Sequence, residues 1–117
     1  TLRKGDCVSY NRSFQAKKAM TMATLPVGYG DGFARNYKGM HVGYKGQKCP
    51  ILGNVCMDLI MIDISKAKGA KVGDEVQLLG GGTKKEPHAW DYAKVDRTIP
   101  YEVLTRISPR VLRTKHA

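Results

Sequence analysis

The sequence predicts a mainly all-β domain, a small closed Greek-key-type barrel with one short helix. Three observations carry this reading. Short apolar runs of strand length alternate with glycine-rich turns along most of the chain. Helical spacing of apolar residues is confined to one stretch near residues 86–96. A length of 117 residues is that of a single domain, spanning residues 1–117, with room for a modest core. Six to eight short strands with one helix imply a sandwich or a closed barrel.

The elements follow in order. Lys4-Gly5-Asp6 reads as a turn that feeds a first short strand over residues 7–10. Residues 19–27 form a second, with Met20, Met22 and Leu25 apolar and Pro26 limiting pairing at its end, since proline cannot donate to a ladder. Residues 28–33 contain three glycines in six and are a loop. His41-Val42-Gly43-Tyr44, the turn Lys45-Gly46-Gln47 and residues 48–52 form a hairpin. Residues 59–64 are the most apolar run and a buried strand. Lys71-Val72-Gly73-Asp74-Glu75 is a turn into a strand over residues 76–79, followed by a flexible Gly80-Gly81-Gly82-Thr83. The helix runs from about residue 86 to 96, with Pro87 in its first turn. Residues 101–107 and 111–113 are read as closing strands.

Composition narrows the class. The chain is 42% hydrophobic and 26% charged, which argues against disorder. No apolar run approaches the length that spans a bilayer, and no charged-then-apolar leader is visible. The abrupt start reads like a piece of something longer. Cys7, Cys49 and Cys56 are odd in number and lack CxxC spacing, and His41, His88 and His116 are scattered. A disulfide framework and a structural zinc site are therefore not expected, and the thiols fit a reducing, cytoplasmic setting. The net charge of +10 raises the possibility of a polyanionic partner. The basic residues are nonetheless spread along the chain with no block of five, as on ordinary solvated faces.

Taken singly, the chemical signals are weak. Gly28-Tyr29-Gly30-Asp31-Gly32 looks like a phosphate cradle but lacks the lysine and serine of a P-loop and has no predicted helix behind it. Six tyrosines each carry a polar handle that a buried site would satisfy. Cys56 reads as a small core residue. Asp58, at the mouth of a buried strand, either caps a turn or faces a pocket.

Order supplies what single motifs do not. Val8-Ser9-Tyr10 with Phe14 beyond it, then Val27-Gly28-Tyr29-Gly30-Asp31-Gly32, then Pro50-Ile51-Leu52-Gly53-Asn54-Val55-Cys56-Met57-Asp58, then Lys71-Val72-Gly73-Asp74-Glu75-Val76, then Tyr101-Glu102-Val103-Leu104 with Pro109-Arg110-Val111, resemble in sequence the carboxy-terminal domain of alanine racemase. That resemblance covers residues 5–113 and implies a pyridoxal-phosphate-dependent isomerase of alanine, supplying D-alanine for bacterial wall precursors. Inversion at the α-carbon needs a base on each face, and the cofactor stores the carbanion charge. The resemblance assigns Tyr10 as the catalytic tyrosine, facing a lysine on the other side. A free tyrosine titrates near 10, so lowering it by two or three units takes roughly 3–4 kcal/mol of electrostatic help. Arg12 would contribute only if the strand bends there, and the family draws most of that help from its other domain. The resemblance further places the Met57 N–H beside the substrate carboxylate, Asp58 at the same loop edge, Tyr29 at the substrate entrance and Tyr101 at the cofactor phosphate. Asn54 departs from the pattern, standing where many relatives carry arginine.

In the resembling enzymes the Schiff-base lysine lies in an amino-terminal α/β barrel, in a segment like Lys-Ala-x-Ala-Tyr-Gly-His-Gly, which this sequence does not contain. The implied partners are that barrel and, in a homodimer, a second subunit that receives the tyrosine. The expectation is that this chain alone is inactive and binds pyridoxal phosphate poorly. A serine or broad-specificity racemase is the near alternative. A basic β-barrel that binds single-stranded nucleic acid is the distant one, and it would gather aromatics on one strand face rather than at turns.

Overall fold

The computed structural model describes residues 1–80 and 82–115. His116 and Gly81, within the predicted flexible run, lie outside the described residues. Two strands open the chain, β1 (Cys7–Val8) and β2 (Phe14–Gln15), paired antiparallel with Cys7 opposite Gln15 and Val8 opposite Phe14. Four more build the main sheet: β3 (Met22–Leu25), β4 (His41–Tyr44), β5 (Gln47–Leu52) and β6 (Ile60–Asp63). Their order is β3-β6-β5-β4, all neighbours antiparallel. Three strands joined in succession, with the remaining strand returning beside the third, make a Greek-key arrangement. The chain ends in α1 (Ala89–Asp96) and α2 (Pro100–Thr105).

The mainly β reading holds, and so do the β4–β5 hairpin and the buried strand near residues 59–64. Val42, Ile51, Ile60 and Ile62 are buried on the sheet. A cluster of Phe33, Tyr37 and Tyr92 fills the space between the sheet and α1, with ring centroids 4.5–5.8 Å apart in edge and tilted contacts. A smaller cluster of Leu52, Cys56 and Met61 packs with Val8, Phe14, Met20 and Met22 and so ties the β1–β2 pair to the main sheet.

Four expectations are corrected. The barrel does not close among the described residues: the β1–β2 pair stays separate, and the outer edge of β4 meets only Gln77, through the reciprocal Gly43–Gln77 bonds of 2.8 Å. The predicted strand over residues 76–79 is reduced to that single bridge. Residues 101–107 are mostly helix, so the described residues hold two α-helices rather than one, and residues 111–113 form no strand. Pro100 supplies the reason for α2, since it occupies the first helical position, where its missing N–H costs nothing. Glu102 in the first turn accepts a bond from the Thr98 hydroxyl at 2.6 Å.

Candidate active site

The first strand breaks after Val8, and the break shapes the site. Tyr10–Arg12 form a 3₁₀ turn. Ser9 has φ 71° and ψ 169°, a region that is essentially glycine's, and Asn11 and Arg12 have φ 56° and 52°. The side chain of Tyr10 stands outward, 60% exposed. The turn is fastened to the segment after β5. The Ser9 hydroxyl donates to the Asn54 carbonyl at 2.9 Å, the Asn54 N–H donates to the Ser13 hydroxyl at 2.9 Å, and the Asn54 side-chain amide reaches the Tyr10 carbonyl at 3.4 Å. Gly53, at φ +72°, sits so close that a Cβ there would lie 2.6 Å from the Ser9 Cβ. Ser9 Oγ is also 3.9 Å from the buried Cys56 Sγ. Tyr10 and Met57 each follow that contact by one residue.

A second loop meets the same segment from the other side. Tyr29 N–H donates to the Cys56 carbonyl at 3.0 Å and Gly30 N–H to the Met57 carbonyl at 2.9 Å. Gly28 permits the approach, because a Cβ on it would fall 2.1 Å from the Cys56 carbonyl oxygen. Among the described residues the Met57 carbonyl is thus engaged, while its N–H donates to no protein acceptor. The Met57 side chain is 48% exposed.

Arg110 closes the arrangement. Its Nε donates to Asp31 at 2.7 Å and a terminal nitrogen to Asp58 at 2.7 Å. Asp31 also accepts the Gly28 N–H at 2.9 Å, and its carbonyl takes the Ser108 N–H at 2.9 Å. The guanidinium holds the Asp31 carboxyl below its ordinary range, and the two carboxylates raise the arginine in turn. The Tyr29 loop, the Met57–Asp58 turn and the segment after α2 are therefore one ion-bridged unit. Among the described residues the Tyr101 side chain makes no hydrogen bond to it. Tyr101 lies on α2, 76% exposed, ahead of the segment that carries Ser108 and Arg110.

The structure thus brings together Tyr10, Tyr29, Met57 and Asp58 and leaves Tyr101 on a neighbouring helix. It adds Ser9, Ser13, Asp31 and Arg110, to which sequence reading gave no role. The signal for the last two was present: a lone arginine in one motif and acidic residues in two others.

Comparison with known proteins identifies the lineage of these loops. The family described as "Alanine racemase, C-terminal domain" matches residues 1–115. The chain belongs to the alanine racemase C-terminal domain family. Alanine racemase of Staphylococcus carnosus is 45% identical over 112 residues, which cover 96% of this chain and 29% of that enzyme. Alanine racemase 2 of Caldanaerobacter subterraneus is 47% identical over 107 residues, 91% of this chain and 28% of the enzyme. The solved alanine racemase of Clostridium difficile 630 in complex with cycloserine superposes with a TM-score of 0.87 at 44% identity, covering 94% of this chain and 28% of that one. The racemase domain described here thus spans a little under three tenths of the length of these relatives. No helix among the described residues is long and apolar enough to cross a membrane.

Proposed function

We propose that this domain donates Tyr10 as one of the two bases of a pyridoxal-phosphate-dependent alanine racemase, acting in a site completed by an amino-terminal barrel of a partner subunit in a homodimer. The observation that carries the reading is the fastening of an outward-pointing Tyr10 and an outward-pointing Met57 to one segment, within a domain of racemase lineage. A phenolate takes the α-proton from one face of the amino acid, and the resulting phenol returns one to that same face in reverse. The base on the opposite face comes from the barrel.

The donor set fits the anionic parts of the cofactor and substrate. Tyr101 offers an exposed hydroxyl to a phosphate, and the Met57 N–H is available to a carboxylate. Arg12 lies on the Tyr10 turn, which bends as the sequence reading required if it was to support the phenolate. Bound pyridoxal phosphate supplies an electron sink for the charge left at the α-carbon. Tyr29 guards the approach to Met57, and Asp58, held by Arg110, sets the edge of that turn. Three free thiols, two of them buried, suit a reducing cytoplasmic compartment.

The test is a chimera in which residues 1–115 replace the matching domain of the Clostridium difficile racemase. It should interconvert L- and D-alanine, and Tyr10→Phe should lower kcat by about 10²–10⁴-fold. An active chimera indifferent to Tyr10→Phe would overturn the assignment.

A further inference from the structure

Of the five non-glycine residues with positive φ among the described residues, three lie within four residues of one another, at Ser9, Asn11 and Arg12, around Tyr10. Ser9 occupies a conformation that serine rarely adopts, and such strain persists only where surrounding contacts over-determine it. Those contacts are on hand: Ser9 Oγ to the Asn54 carbonyl, the Asn54 N–H to Ser13 Oγ, and Gly53 pressed against both serines, with a virtual Cβ 2.6 Å from Ser9 Cβ and 2.8 Å from Ser13 Oγ. The two hydroxyls sit on either side of the Tyr10 turn and engage both backbone polar groups of residue 54, Ser9 donating to its carbonyl and Ser13 accepting from its N–H. Tyr10 itself is exposed, and among the described residues its hydroxyl makes no hydrogen bond, so the direction of its ring follows from the backbone from which it projects.

We infer that Ser9 and Ser13 are positioning residues, a two-hydroxyl clamp on residue 54 that holds the strained Tyr10 turn and so sets where the phenol points. This rests on the reading of Tyr10 as a catalytic base. The clamp uses backbone groups of Asn54, so it does not depend on which side chain stands at that position. Gly53 is required by the clamp, since any side chain there would separate the turn from β5.

Two measurements test this. The first uses the chain itself: amide hydrogen exchange followed by NMR. The Asn54 N–H should be protected, and Ser13→Ala should speed its exchange at least about tenfold while the Ile60 and Ile62 amides of β6 change less than about twofold. An Asn54 amide that exchanges freely in the unaltered chain overturns the clamp. The second uses the chimera. Ser9→Ala and Ser13→Ala should lower kcat by about tenfold with KM within about twofold, as expected for a misplaced reacting group. The α-deuterium isotope effect should rise for only the antipode whose proton Tyr10 handles. Ser9→Gly, which adopts the same backbone without strain, should retain more activity than Ser9→Ala. Unchanged kcat, or isotope effects that rise equally for both antipodes, would overturn the inference. Loss of activity in Tyr10→Phe alongside unaffected serine variants would remove the clamp and leave the catalytic reading standing. Full activity in Tyr10→Phe would remove both.

Discussion

At the scale of single residues, the Asp31–Arg110–Asp58 bridge shows how unequal two similar contacts can be. Both carboxylates lie 2.7 Å from the same guanidinium, but the Asp31 side chain is 17% exposed and that of Asp58 is 63% exposed. Screening by water weakens the second contact, so it orients the Met57–Asp58 turn more than it stabilises the fold. Asp31 is held below its ordinary range, chiefly by its hydrogen bond to Arg110. A carboxylate with a depressed folded-state value contributes stability that is fully present above the unfolded-state value, near 3.8. That contribution is lost as pH falls through the lower folded-state value. Arg110→Ala should therefore destabilise the domain at pH 7, and the gap between variant and unaltered protein should shrink as pH falls below about 4. Urea melts at pH 7 and pH 3 check this, and a gap equal at both would show that the ion bridge is not its source. Asp31→Asn should cost more stability than Asp58→Asn in the same melts.

At the scale of elements, an acid whose side chain is buried joins the helices to the rest. Asp96, at the end of α1 and 5% exposed, accepts the Tyr37 hydroxyl, the Asn36 amide and the Arg106 guanidinium, each at 2.6 Å. It links the turn before β4, α1 and the end of α2 at one point. Asp96→Ala would leave the buried Tyr37 hydroxyl without its acceptor, and the loss should be about 2–4 kcal/mol by urea denaturation. Arg106→Ala, which removes an exposed donor and leaves the Tyr37 hydroxyl paired, should cost clearly less. This hub was not legible in the sequence, where Asp96 marked only a helix end. The same holds for α2. Tyr101, Val103 and Ile107 favour strand by type, and that tendency gave way to Pro100 and to burial of Val103. The strands that were legible, β4 to β6, combine a glycine turn with β-branched and apolar residues on buried faces, so local pattern and tertiary demand agree. The six tyrosines show where such reading stops. Tyr37, Tyr44 and Tyr92 are buried and donate to Asp96, Asp74 and the Leu78 carbonyl, whereas Tyr10, Tyr29 and Tyr101 are exposed. No local pattern separates the two groups. Only the ordered motifs shared with the racemases picked out the exposed three.

At the scale of the molecule, the candidate site is one wall. Tyr10, Met57 and Tyr101 all face outward, and a carbanion-forming reaction needs water excluded and a base on each side of the substrate. On the proposed reading, the second base and the grip on the cofactor ring lie in the part of the relatives' length that this chain does not span. The 117-residue chain should accordingly show no alanine racemisation above the cofactor-only rate. Isothermal titration with pyridoxal phosphate should give no saturable site of one equivalent. A positive result in either assay would mean that this domain holds the cofactor itself, and the shared-site reading would fail. The informative contrast is the chimera, in which the same residues 1–115 are given a barrel to face. Activity that appears only there would locate the function of the domain in its exposed face, with the strands and helices behind it fixing where Tyr10 and Met57 meet their partner.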